Sequence, residues 1–159
     1  MMEILTGLLG ALSDPASLLP DLPALFEKLV GLIRVAVYAG PAALILLGLM
    51  YYFLAPKEAN HHFGFRCWWG MSSVEVWQFT QKLAGIVWAA LGLVLGLFAF
   101  FSTGGYANMG QQEMLMSAAN LILWQIGAVL VSILAINIIL VVLYDRKGDK
   151  RSEKVKAGN

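Results

Sequence analysis

Charge is what this chain has least of. Asp, Glu, Lys and Arg together make up 13% of its 159 residues, with a formal net charge of +1, against ~25% charged residues in an ordinary soluble domain. So small a basic excess argues against nucleic acid, which needs a patch able to displace counterions. Cysteine is almost missing as well. Cys67 stands alone and can form no intramolecular disulfide, so the fold does not depend on an oxidising compartment. The sequence also has no phosphate loop, no dinucleotide fingerprint and no zincin helix, which removes the commonest cofactor signatures.

What remains is apolar: 59% of the residues are hydrophobic, so the solvent for this chain is lipid. Residues 2–12 are apolar but too short to cross a bilayer, which takes ~20 residues. Glu3 stands where a signal peptide would carry Lys or Arg, so a short interfacial helix is the better expectation. Pro15, Pro20 and Pro23 then mark a turn-rich connector.

Leu22, Leu25, Phe26, Leu29 and Ile33 form an amphipathic stripe that leads into the uncharged run 35–54, the first expected span. Arg34 at its edge is expected to snorkel to headgroups. Pro41 predicts a kink or local break, tolerable where a neighbour satisfies the freed carbonyl. The second expected span is 83–101. Its small residues Gly85, Ala89, Gly92 and Gly96 share one face, a close-packing surface that could meet this chain or a second copy. The third is 118–144, with Ala128, Ser132 and Ala135 as its small face. Gln125 and Asn137 are expected to hydrogen-bond across the bundle.

The expectation is therefore an all-α integral membrane protein. Three transmembrane helices (domain 29–144) follow an N-terminal interfacial amphipathic segment (1–28) and precede a basic tail (145–159). That tail holds six of the eleven basic residues, the first loop region holds Lys57, Arg66 and Lys82, and the loop between the second and third spans has none. Positive residues mark cytoplasmic segments, so the first loop and C-terminus are expected inside and the N-terminus outside. The tail reads as a solvated anchor against anionic lipid headgroups, in preference to a docking site for a cytoplasmic partner.

Most of the reactive side chains lie in residues 60–85: both histidines, the cysteine and three of the five tryptophans. His61, His62 and Cys67 match no standard zinc spacing and no fourth ligand is evident. No third group orients a Cys–His pair for catalysis. Neither a metal, a cofactor nor an enzyme activity is expected. Ser72-Ser73-Val74-Glu75 fits a capping box with Ser72 as N-cap. Upstream of it, Arg66 among Phe63, Phe65, Trp68 and Trp69 suggests a surface loop that grips something anionic and partly apolar: a lipid headgroup, an amphipathic peptide, or the chain's own Glu58 or Glu75.

The order Asn60…Gly64-x-Arg66…Met71-x-x-x-Glu75-x-Trp77…Gly85 resembles the signature of the SdpI family of bacterial membrane immunity and signalling proteins. Cys67 stands where that pattern usually has Thr, and Gly70 where Ser precedes the Met, which costs the loop two hydroxyls. The resemblance implies a bacterial cell-membrane protein that gives immunity to, or senses, a membrane-active peptide toxin. It also implies a possible cytoplasmic regulator as partner. It assigns the loop residues Asn60, Gly64, Arg66, Met71, Glu75 and Trp77, to which the aromatic composition of the loop adds Trp68 and Trp69 as candidate binding residues. Two other classes stay open: a lipid- or solute-handling transporter subunit, which would need a homo-oligomer through Gly92 and Gly96, and a structural subunit of a larger complex.

Overall fold

The computed structural model describes residues 22–59 and 62–152. The apolar stretch 2–12, the proline connector up to Asp21, Asn60, His61 and residues 153–159 lie outside the described residues. Three long helices account for most of the rest: α1 (Leu22–Phe53), α2 (Val74–Thr103) and α3 (Gln111–Leu143). Short 3-10 turns at Trp69–Met71 and Tyr106–Asn108 precede α2 and α3. All three helices are long and apolar enough to cross a membrane, and their large exposed hydrophobics, among them Leu46, Leu97, Phe98, Leu123 and Leu134, are what a lipid-facing surface requires. The chain is a multi-pass membrane protein. At ~1.5 Å per residue each helix exceeds the ~30 Å hydrocarbon core, so its ends project into the headgroups or beyond.

α2 lies along α1 more extensively than α3 lies along either. The reason is glycine. A Cβ added at Gly85 would come within 2.8 Å of the Gly48 carbonyl and the Tyr52 nitrogen, and one at Gly92 within 2.8 Å of the Pro41 carbonyl. Backbone meets backbone there, and only a residue without a side chain allows it. Gly96 faces the Pro41 ring at an ordinary 3.6 Å. Gly85 and Gly92 of the expected glycine face are thus used within the chain, against α1. On α3, Ser132 is buried but Ala135 is exposed, so the expected small face is only partly used.

α1 runs unbroken through Pro41, so no local break occurs. Proline lacks an N–H and leaves the carbonyl four residues earlier, that of Val37, without its helical donor. Gln125 Nε2 on α3 donates to that oxygen at 3.1 Å. Gln125 therefore bonds across the bundle as its sequence context suggested. Asn137 does not: its amide turns back to the Ile133 carbonyl of its own helix at 2.8 Å.

Arg34, expected to reach the headgroups, also has a partner within the chain. Its Nε and Nη2 donate to the Thr103 carbonyl at 3.3 and 3.0 Å, while Tyr38 Oη and Thr103 Oγ1 share a hydrogen bond at 2.9 Å. The last carbonyls of a helix have no intrahelical donors and carry partial negative charge, so a guanidinium there gains more than it would in the headgroups alone.

Candidate functional site

The loop that joins α1 to α2 is built around one buried side chain that the sequence did not single out. Gln81, 2% exposed, accepts from the Phe65 N–H at 2.7 Å and donates to the Phe65 carbonyl at 2.9 Å. A primary amide pairing with one residue's peptide groups on both sides acts like a strand partner and fixes that residue's position. Trp77, fully buried, donates its indole N–H to the Pro56 carbonyl at 2.9 Å. Exposed Gln78 donates to the Lys57 carbonyl at 3.1 Å. The first turns of α2 thus hold the loop at its start and at its middle.

Gly64 adopts φ +124°, and a Cβ there would sit 2.7 Å from the Trp77 ring. Both the backbone conformation and the aromatic wall demand glycine. Phe65 turns inward and packs edge-on against Trp88, ring centroids 5.5 Å apart. Trp88 in turn donates to Ser132 Oγ at 3.2 Å, and Phe63 packs edge-on against Tyr51 of α1 at 5.5 Å, so the loop is seated on all three helices.

Two corrections follow at the start of α2. The N-cap is Ser73, extended at φ −153°, ψ 166°, its Oγ accepting from the Val76 N–H at 3.3 Å. Ser72 instead continues the preceding 3-10 turn, its Oγ donating to the Trp69 carbonyl at 2.8 Å. With the cap one residue later than the pattern suggested, Glu75 stands too early to close a capping box. It pairs with Lys150 at 2.7 Å. Both partners are well exposed, so the pair contributes at most ~1 kcal/mol.

That contact belongs to a larger one. The described part of the tail, residues 145–152, folds into a turn against the start of α2. Tyr144 and Lys150 form an antiparallel bridge, and the Asp145 carboxylate accepts from the N–H groups of Lys147 and Asp149. Arg151 returns to the Tyr144 carbonyl at 3.1 Å. The tight turn at Gly148, φ +85°, lies against Ser73 so closely that a Cβ would be 2.7 Å from its side chain. Arg146 stands 6.0 Å over the Trp69 ring, at the outer limit of a cation–π contact. The Asp145 carboxylate is the staple of this turn.

The residues singled out from sequence therefore divide. Gly64 and Trp77 build the loop, and half-buried Trp69 joins it to the tail. Arg66, Trp68 (87% exposed), Met71 and Glu75 face outward, while Asn60 lies outside the described residues. Arg66 has no hydrogen bond or ion pair with another described residue, so neither Glu58 nor Glu75 holds it. No group of three or more His, Cys, Asp or Glu side chains able to hold a metal occurs among the described residues.

Cys67 accepts a hydrogen bond from the Gly70 N–H at 3.3 Å. Burial pushes its thiol above the ordinary range, and that hydrogen bond offsets the shift only in part. A raised pKa means less thiolate at neutral pH. Alkylation by N-ethylmaleimide at pH 7.5 should accordingly run about tenfold slower in the folded protein than after SDS denaturation, and accelerate as pH rises. Equal rates would contradict this placement.

Loop, α2, α3 and the start of the tail form one connected unit, and comparison with known proteins picks out that same unit. The SdpI/YfhL protein family matches residues 57–145, more than half of the chain. The chain belongs to this family. The SdpI/YfhL region begins at Lys57, whose carbonyl Gln78 holds, and ends at Asp145, the staple of the tail turn. α1 lies before it, although its glycine contacts with α2 make it part of the same bundle. No curated protein and no solved structure matches the chain.

Proposed function

We propose that this SdpI/YfhL protein gives immunity to, or senses, a membrane-active peptide toxin through the loop between α1 and α2. In this reading the loop and the tail face the cytoplasm, as their share of the basic residues suggests, and the N-terminus lies outside. The family match over residues 57–145 carries the proposal. The geometry supports it: Arg66, Trp68 and Met71 are exposed on a loop whose backbone Gln81 and Trp77 hold still. A pre-ordered site loses little entropy on binding, and an exposed guanidinium beside an exposed indole suits a ligand that is partly anionic and partly apolar.

The test is survival. Expression in a toxin-sensitive bacterium should raise survival over an empty vector, and unchanged killing with confirmed membrane insertion would overturn the proposal. Within that assay Arg66→Lys should impair protection more than Lys57→Ala or Lys82→Ala, because an ammonium cannot form the planar bidentate contact. Equal protection by all three variants would remove Arg66 from the site.

A further inference from the structure

The other end of the bundle holds a second concave feature, distant from the loop and independent of the proposal above. A cavity of about 470 Å³ is lined by Phe26, Glu27, Val30, Gly31 and Arg34 of α1 and by Ala107 of the turn before α3. Its charged members are one guanidinium and one carboxylate, and its remaining walls are apolar.

Arg34 is held in place. Two of its five N–H groups are spent on the Thr103 carbonyl, which leaves the other N–H groups of its planar fork for a ligand. Glu27 is exposed and has no partner among the described residues. The order of the two charges along the membrane normal decides what fits. Arg34 stands at the edge of the uncharged run 35–54, which at ~1.5 Å per residue matches one hydrocarbon thickness of ~30 Å. Glu27 lies seven residues earlier, about 10 Å farther from the hydrocarbon. Both side chains lean toward the N-terminus of α1, and the longer reach of Arg34 narrows that gap. The positive group is therefore the deeper one and the negative group the outer one.

We infer that this cavity binds the headgroup of a zwitterionic aminophospholipid, phosphatidylethanolamine. Its phosphate, the deeper charge, meets Arg34; its ammonium, the outer charge, meets Glu27; its upper acyl carbons lie on Phe26 and Val30. A purely anionic lipid would satisfy Arg34 and leave Glu27 facing negative charge.

Native mass spectrometry of the full-length protein, exchanged into an equimolar mixture of phosphatidylethanolamine and phosphatidylglycerol, tests this. The wild type should retain phosphatidylethanolamine over phosphatidylglycerol by roughly three- to fivefold, the size expected for one exposed ion pair. Glu27→Gln should abolish that preference. Because Arg34 also ties α1 to α2, Arg34→Gln can disturb folding; Glu27, exposed and without a partner among the described residues, carries the test without that ambiguity. Lys82→Gln, at the opposite end, should leave the preference unchanged. A wild type without preference, or a Glu27→Gln variant that keeps it, overturns the assignment.

Discussion

Gln81→Leu should unfold the loop between α1 and α2 while leaving the three helices inserted. The substitution keeps the bulk of the side chain but leaves the N–H and carbonyl of Phe65 buried without partners, because Phe65 is itself 6% exposed. Each orphaned buried polar group costs ~1–3 kcal/mol, so the pair sums to several kcal/mol, a large share of a membrane domain's margin. Limited proteolysis in detergent should show new cleavage between residues 57 and 72, and protection in the toxin assay should fall to background. Gln81→Glu separates the two bonds: it keeps an acceptor for the N–H, loses the donor, and buries a carboxylate. It should be at least as damaging. A loop as resistant to protease as the wild type's in both variants would show that the Gln81 amide does not organise it.

Gly48→Leu should be the most destabilising single change in the membrane-spanning part. A Cβ at this position would overlap the Ala89 nitrogen and stand 2.7 Å from the Gly85 carbonyl. Both obstacles are helix backbone, which cannot swing aside as a flexible side chain can. Overpacking in a well-packed core costs ~1–3 kcal/mol and more where nothing yields, and here α1 must separate from α2 along their closest line. Unfolding in SDS titration should shift to clearly lower detergent fraction, with Gly31→Leu as the control, since nothing stands within 4 Å of a Cβ there. If the two variants unfold alike, the helices do not meet at Gly48.

The helices themselves were legible because lipid imposes a simple demand: long uncharged runs, read directly from composition. The side to which each polar residue turns was less so. Gln125 and Asn137 look alike in sequence, each a lone amide in an apolar run, yet one reaches Val37 and the other its own helix. The clue lay elsewhere in the chain, in the carbonyl that Pro41 sets free. Gln81 escaped notice for a related reason: it is a polar residue near a helix start, where polar residues ordinarily face water, and nothing local marks it as buried. Gly64, by contrast, belonged to the pattern taken from the family, and its φ of +124° supplies the physical cause. The cap was misplaced by one residue because Ser72 and Ser73 are chemically equivalent, and only the 3-10 turn ending at Ser72 decides between them.

The bond from Gln125 to Val37 has a consequence for biogenesis. A ribosome delivers α1 to the bilayer first, at a time when its Val37 carbonyl lacks both the helical donor that Pro41 cannot supply and the Gln125 amide. The donor arrives only with the middle of α3, after two further helices have been synthesised and the last has threaded back beside the first. Until then the nascent protein carries a polar defect at the depth of the acyl chains. A chain truncated after α2 would carry it permanently, because the only donor that reaches Val37 from another described helix belongs to α3.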